Sequence, residues 1–216
     1  MKKGTIILSA VFALSLVSCK KNSTDVANSG LEFQLKATNP SSTVARIMTT
    51  ITWDSGFVNA TEIKFEAKQG GQETKFRSST PRHIDLFAAA SAIGSINIPS
   101  GTFDEVEFKI EAAPSGTEAA LQLNGKVNGT PVVVMVNTAF EIKSEQSQVT
   151  LNGADIALNK IDLSALTGGL TSTDFANAVL ANGRIVLSSS SNTSLFNTII
   201  SNLQRQHETE VEVHHR

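Results

Sequence analysis

The segment Glu105-Val106-Glu107-Phe108-Lys109-Ile110-Glu111-Ala112 decides the fold, because apolar and charged residues alternate along its whole length. Successive side chains of a β-strand point to opposite faces, so this segment has one apolar face and one charged face. Such a strand packs its apolar face on a core and leaves the other face in water, as antiparallel sheets commonly do. The pattern therefore predicts a half-buried strand.

The same alternation is the dominant signal in the first half of the chain. It recurs in Leu31–Ala37, Ala45–Trp53 and Ile63–Ala67. Clusters such as Gly70-Gly71 separate these segments and predict turns. We expect several antiparallel strands joined by short connections.

The middle of the chain predicts a β-hairpin. Two apolar-rich segments, Leu121–Val127 and Thr130–Val136, flank the dipeptide Asn128-Gly129, which suits the positive φ angles of a type I′ turn. Since Val132–Val136 is apolar on both faces, we place this strand in the interior of a sheet.

Beyond residue 153 the pattern is mixed. It predicts strands at Ile156–Leu163 and Arg184–Ser188, and a short helix that begins at Ser172 or Thr173. A longer amphipathic helix follows, with its cap in residues 192–194. We expect this helix to pack on the sheets, with docking into a partner's groove as the alternative. Its apolar positions recur at helical spacing and are Leu195, Phe196, Ile199, Ile200 and Leu203.

These segments together predict an all-β (mostly β) fold, namely an antiparallel β-sandwich with a short C-terminal helix. We assign residues 31–205 to this domain and residues 206–216 to a charged, disordered tail. Residues 19–30 are polar and lack periodicity, so we interpret them as a flexible tether.

The N-terminus has the layout of a secretory signal peptide over residues 1–18. Lys2 and Lys3 precede a short apolar run, Thr5–Val17. The run is shorter than the about 20 residues that a bilayer crossing needs, which argues against a transmembrane helix. Cys19 is the single cysteine of the chain, so it has no partner for an intramolecular disulfide.

The residues Leu16-Val17-Ser18-Cys19 resemble the lipobox of bacterial lipoproteins. The resemblance implies cleavage before Cys19 and lipidation of its thiol, for example with palmitate. A plain cleaved signal peptide is the alternative, and it would leave a free thiol in a secreted protein. Each buried CH₂ of an acyl chain contributes about 0.8 kcal/mol to membrane attachment, so several chains anchor a protein firmly.

The mature chain is mildly acidic. The full chain has a formal net charge of −2, and residues 1–18 hold two lysines and no acidic residue, so their removal leaves −4. A net charge of this size and sign supports solubility and does not attract a polyanion. We therefore expect no nucleic-acid partner.

The segment Ile98-Pro99-Ser100-Gly101-Thr102-Phe103 is similar to the Leu-Pro-x-Gly-x-aromatic segment that leads into a strand in a family of β-sandwich lipoproteins of unknown function from Bacteroidetes. The resemblance is strongest over Gly30–Ala113 and implies a fold and an envelope location without catalytic residues. Some of these lipoproteins carry an acidic run after the cysteine that directs them to the cell surface. Lys20-Lys21 stands there instead, which favours the periplasmic side of the outer membrane. Other matching segments are Leu31–Pro40, Ala60–Gly71, His83–Leu86 and Ser172–Gln204.

The sequence offers no set of residues for a reaction, and we predict a protein that is not an enzyme and has no cofactor. Neither a Gly-x-Ser-x-Gly elbow nor a phosphate-binding glycine loop is present. His83 is the single histidine outside the C-terminal tail. An enzyme would therefore need His83 beside a carboxylate and a hydroxyl in a cleft.

Metal binding has candidates in the tail, where His207, His214 and His215 are interleaved with glutamates. Their spacing matches no closed site, so we predict no metal centre. An irregular calcium site is the other alternative, although no EF-hand loop is present. Its oxygen donors would be Asp54, Asn59, Asn152, Asp155, Asn159 and Asp162.

Trp53 is the candidate for binding a glycan, because exposed Trp and Tyr rings form sugar platforms and the chain has one Trp and no Tyr. Its place on the apolar stripe with Ile51 favours a core or rim position. We predict a non-catalytic, membrane-anchored envelope lipoprotein that serves as a structural or interaction module. The alternatives are a glycan- or protein-binding module and a pilus-like subunit that assembles by strand addition.

Overall fold

The computed structural model describes residues 28–38, 51–88, 92–152, 154–206 and 212–215. Within these residues the chain forms two β-sheets and three short helices, which confirms the predicted mostly β fold with a short C-terminal helix. The longest helix has 13 residues, and no helix in this part of the chain combines the length and the apolar character that a bilayer crossing requires.

The smaller sheet has four strands, namely β1 (Asn28–Thr38), β5 (Ala92–Pro99), β10 (Asp155–Asp162) and β13 (Glu212–His215). Their order across the sheet is β13-β10-β1-β5.

The larger sheet has nine strands, namely β2 (Ile51–Gln69), β3 (Gln72–Ser78), β4 (Arg82–Asp85), β6 (Gly101–Ala112), β7 (Leu121–Val127), β8 (Thr130–Val136), β9 (Phe140–Leu151), β11 (Leu180–Ala181) and β12 (Arg184–Leu187). Seven of them lie in the order β11-β12-β8-β7-β2-β6-β9, and β3 and β4 also pair with β2. The helices are α1 (Leu163–Leu166), α2 (Ser172–Ala176) and α3 (Thr193–Arg205).

Both sheets are mixed, although the sequence predicts antiparallel pairing. β1 runs parallel to β10, with Leu31 opposite Asp155, and β12 runs parallel to β8. Parallel neighbours need a long crossover connection, and here seven of the nine strands of the larger sheet lie between β1 and β10 in the sequence. The remaining strand pairs are antiparallel.

The predicted hairpin is confirmed. β7 and β8 have the predicted bounds, and Asn128 (φ 49°) and Gly129 (φ 82°) both occupy the left-handed region that a type I′ turn requires. β8 lies between β7 and β12, so it is an interior strand, as its two apolar faces indicate.

β2 is the long central strand, and β6 and β7 follow one another along one of its sides. The N–H of Asn59 donates to Ala120 O, and the N–H of Ala113 donates to Asn59 O. The chain between these two contacts leaves the sheet as a short excursion, residues 113–120, closed by a β-bridge between Ser115 and Glu118. β3 and β4 pair with the same strand as well.

Phe33 of β1 joins the two sheets. Its ring centroid lies 4.7 Å from that of Phe65 in β2, 5.4 Å from that of Phe76 in β3 and 5.6 Å from that of Phe108 in β6. Phe33, Phe65 and Phe108 are fully buried. Since these contacts run from the small sheet to the large one, the two sheets pack as the layers of a sandwich.

The C-terminal helix α3 packs on the sandwich as predicted. It contacts α1 and β12 and buries Leu195, Phe196, Ile199 and Leu203. Asn192 precedes it with φ 48°, but its side chain does not cap the helix. That side chain bonds instead to the backbone N–H and C=O of Val179 and to the C=O of Val186.

The domain bounds differ from the prediction at both ends. β1 begins at Asn28, inside the predicted tether of residues 19–30. Residues 212–215 form β13 along β10, whereas a disordered tail is predicted for residues 206–216. The alternation in Glu212-Val213 is too short to be recognised as a strand without its partner. Residues 1–27, and with them the signal peptide and Cys19, lie outside the described part of the chain.

Replacing Phe33 with Ala is expected to lower the free energy of unfolding by about 3–5 kcal/mol, because the ring fills the centre of the core. Urea denaturation followed by circular dichroism measures the change. Phe87→Ala is the control, since that ring is 38% exposed, and it should lower the stability by less than about 1 kcal/mol. Equal losses in the two variants would contradict the central role of Phe33.

Candidate functional site

The outer face of β2 carries the most distinctive side-chain cluster, formed by His83, Asn59 and Glu118. Asn59 and His83 lie directly opposite one another on the paired strands β2 and β4. Glu118 comes from the excursion of residues 113–120, which leaves the sheet at Asn59. Three segments that are far apart in the sequence therefore meet at this point. We call it the His83 cluster.

The polar atoms of the His83 cluster lie within hydrogen-bond distance of one another. His83 Nδ1 lies 3.1 Å from Asn59 Oδ1 and 3.2 Å from Glu118 Oε2. Asn59 Nδ2 donates to Glu118 Oε2 at 3.1 Å and to the Ala119 carbonyl at 2.9 Å. One imidazole nitrogen is thus held between two oxygen atoms.

Asn59 gives the cluster its rigidity. Its side chain is buried, while the side chains of His83 and Glu118 are each 49% exposed. The ring of Phe57, two residues earlier on the same strand, lies 4.4 Å from the His83 ring. The buried amide fixes the excursion, and the aromatic contact limits rotation of the imidazole.

Glu118 satisfies one condition of the enzyme alternative, a carboxylate beside His83. The hydrogen-bond partners of the His83 ring among the described residues are Asn59 and Glu118, and neither carries a hydroxyl. A cleft of about 400 Å³ lies beside β4, with Leu35, Ile84 and Ile93 among its lining residues. The described residues that line it also lack a hydroxyl. The hydroxyl that the enzyme alternative also requires is thus not found beside His83 among the described residues.

A second concave surface lies on α3. A groove of about 550 Å³ runs between the helix and the turn at Gly168-Gly169. Asn202 crosses it and donates to the carbonyls of Leu166 and Gly168, so this residue ties the helix to the turn. The other side chains that line the groove are Ser194, Asn197, Thr198, Ser201 and Arg205.

The outward side chains of β3, β2, β6 and β9 form what we call the charged face. Like charges lie directly opposite one another, as in the row Arg77, Lys64, Lys109 and Lys143. Such a row is destabilising by itself. Ion pairs with the neighbouring rows of glutamates offset the repulsion; Lys64 Nζ, for example, lies 2.7 Å from Glu111 Oε1 and 3.0 Å from Glu62 Oε1.

The ion pairs of the charged face shift the titration of their members. The hydrogen bond from Arg77, followed by that from Lys64, lowers the pKa of Glu62. The carboxylate of Glu111 raises the pKa of Lys64, and that of Glu107 raises the pKa of Lys143. The cations of this face are therefore matched by glutamates of the same face.

Trp53 lies in the core and presents no platform for a sugar, being 7% exposed. It pairs across the strands with Gly125, where a side chain would lie 3.0 Å from the indole ring. Because Gly125 has no side chain, the indole ring of Trp53 can occupy this space. Trp53 thus has the core position that the apolar stripe favours.

The tail histidines are the metal-ligand candidates that the sequence offers. His207 and the side chains of His214 and His215 lie outside the described part of the chain. Among the residues that are described, no group of three or more His, Cys, Asp or Glu side chains converges.

The oxygen donors considered for calcium mostly have structural roles. Asp162 caps α1, Asp155 accepts the N–H of Asn152, and Asn159 is buried and bonds to Ser144 across the sheets. Asp54 lies 3.8 Å from Lys126. Of these six residues, Asn59 is the one that contacts His83 and Glu118.

The sequence reveals His83 as an isolated histidine and gives no sign of its partners. Asn59 lies 24 residues before it and Glu118 lies 35 residues after it. The strand pairing that unites them depends on β4, a strand of four residues with a weak signal. The Asn59–Glu118 contact could not be found from local spacing.

Comparisons with known proteins give no relative: no family model, no curated protein and no solved structure matches the chain. The resemblance to Bacteroidetes lipoproteins therefore stays a prediction.

Asn59→Ala is expected to lower the free energy of unfolding by about 1–3 kcal/mol, because it leaves the buried Ala119 carbonyl without its donor. Hydrogen exchange should accelerate at the Ala113 amide, which bonds to Asn59 O. Asn197→Ala on the exposed side of α3 is the control and should leave both quantities unchanged. Unaltered exchange at Ala113 in Asn59→Ala would show that the amide does not hold the excursion.

Glu62 makes the stability of the protein pH-dependent. Its pKa is lower in the folded state than in the unfolded chain, so its contribution is complete above the ordinary glutamate value of about 4.3 and is lost as the pH falls through the folded value. In the wild type the urea midpoint should decrease as the pH falls below 5, and Glu62→Gln should make this decrease smaller. Asp54→Asn is the control, because Asp54 lies near the other end of β2, and most of the decrease should remain in this variant. An unchanged acid-side slope in Glu62→Gln would refute this assignment.

Proposed function

We propose that the protein is a lipid-anchored component of the bacterial envelope, held at the membrane through Cys19, and that it acts through its surface as a structural or interaction module without catalysis. The observation that carries the proposal is the N-terminal sequence. A basic start, a short apolar run and Leu16-Val17-Ser18-Cys19 stand in the order that a lipoprotein signal requires.

The position of β1 limits how far the folded domain could lie from the proposed anchor. β1 begins at Asn28, so the segment between Cys19 and the first strand is residues 20–27. An extended chain spans at most about 3.4 Å per residue, which limits this link to roughly 27 Å. The small sheet would therefore stay close to the lipid surface, within reach of other envelope components.

The side chains of the folded domain favour a structural or interaction role. The hydrogen bonds of His83 go to Asn59 and Glu118, which fix the excursion of residues 113–120. The charged face keeps a large part of the sandwich soluble, as a domain displayed on a membrane requires. We place the protein at the periplasmic side of the outer membrane, since Lys20-Lys21 follows the cysteine in place of an acidic run.

Metabolic labelling with an alkyne analogue of palmitate, followed by membrane fractionation, tests the anchor. We expect the full chain to be labelled and to sediment with membranes. Cys19→Ser should lose the label and become soluble, because the acceptor thiol is gone. Cys19→Ser combined with Ser23→Cys is the matched control, since it keeps one thiol but moves it four residues from its position.

The control variant should also be unlabelled and soluble. Label in the control would show reaction with any accessible thiol, and membrane binding of Cys19→Ser would show an attachment that does not depend on lipid. Either result would overturn the proposal.

A further inference from the structure

We propose that the His83 cluster is a binding site for one divalent transition-metal ion of the zinc class, with His83 Nδ1, Asn59 Oδ1 and Glu118 Oε2 as ligands. The proposal is independent of the lipid anchor, because its residues all lie in the folded domain. It rests on distances, on the chemistry of the three donors and on their supports.

The distances match a coordination sphere. Zinc binds imidazole nitrogen and carboxylate oxygen at about 2.0–2.2 Å, so neighbouring ligand atoms of a tetrahedral site are about 3.3 Å apart. His83 Nδ1 lies 3.1 Å from Asn59 Oδ1 and 3.2 Å from Glu118 Oε2. These two of the three separations among the ligand atoms match a tetrahedral site, and ion binding requires the half-exposed Glu118 side chain to bring Oε2 to a similar distance from Asn59 Oδ1.

The chemistry of the cluster also suits a cation. Asn59 Oδ1 and Glu118 Oε2 both lie within hydrogen-bond distance of His83 Nδ1. The amide oxygen and the carboxylate oxygen offer lone pairs, and so does Nδ1 in the tautomer that carries its hydrogen on Nε2. In that tautomer a metal ion can bind between the three atoms.

Contacts with neighbouring groups already orient the proposed ligands. Asn59 Nδ2 donates to the Ala119 carbonyl at 2.9 Å, which directs Oδ1 toward the imidazole. Phe57 packs on the His83 ring at 4.4 Å. Outer contacts of this kind orient metal ligands and strengthen binding. The half-exposed His83 and Glu118 side chains leave access for the ion and for its water ligands.

The donor set selects the class of ion. One imidazole nitrogen, one carboxylate and one amide oxygen suit Zn²⁺, Ni²⁺ or Cu²⁺ better than Ca²⁺, which prefers six to eight oxygen ligands. Glu118 supplies the single negative charge of the set. We expect modest affinity, because three ligands leave the remaining positions to water.

Isothermal titration of the full chain with Zn²⁺ tests the proposal. We expect His83→Ala and Glu118→Gln to weaken this binding event by at least about tenfold, since each removes a ligand. Glu118→Gln keeps the shape of the side chain, so it separates loss of a ligand from loss of the fold. Glu145→Gln is the matched control, because Glu145 is also 49% exposed but lies on β9.

The tail histidines are a competing source of binding. His207→Ala/His214→Ala/His215→Ala should keep the site, and nitrogen-15 histidine NMR of this variant should show Zn²⁺ shifting the His83 Nδ1 resonance. Absence of Zn²⁺ binding to the full chain would overturn the proposal. Binding that is lost in the tail variant and kept in His83→Ala would also overturn it, since it would assign the ion to the tail.

Discussion

The contact between Phe33 and the phenylalanines of the larger sheet is the interaction on which the structure depends. β1 lies between β10 and β5, so Phe33 stands near the middle of the small sheet. Its ring lies within 6 Å of rings from β2, β3 and β6. Burial of aromatic side chains is a large part of the hydrophobic stabilisation of a core. The position of the small sheet therefore follows from this one cluster.

A second constraint comes from β2, whose apolar side chains must face the core along a strand of 19 residues. A regular strand of this length would twist out of register with its neighbours. β2 has irregularities between Trp53 and Ser55 and between Ala60 and Glu62. Each one changes which residues face inward. Trp53, Val58 and Phe65 are consequently all buried, although they do not share one phase of alternation.

These irregularities explain which parts of the fold could be predicted from the sequence. Alternation over Ala45–Trp53 and Ile63–Ala67 suggests two strands, and the described parts of both belong to β2. The hairpin at Asn128-Gly129 was predictable to the residue, because both of its strands and its turn are local. The parallel pairing of β1 with β10 was not, since the two strands are separated by most of the chain and no turn fixes their direction.

The same distinction between local and distant signals holds for the candidate site. The alternating glutamates and lysines of β6 predict a charged face, and its cations have partners on that face because neighbouring strands place glutamates diagonally. The His83 cluster depends on the excursion of residues 113–120, which brings Glu118 back to Asn59 near the middle of β2. Its chemistry therefore follows from strand pairing and not from a motif. The cations of the charged face are paired with glutamates of the same face, whereas the imidazole of His83 lies between two oxygen atoms. The proposed metal site therefore lies where the regular sheet is interrupted.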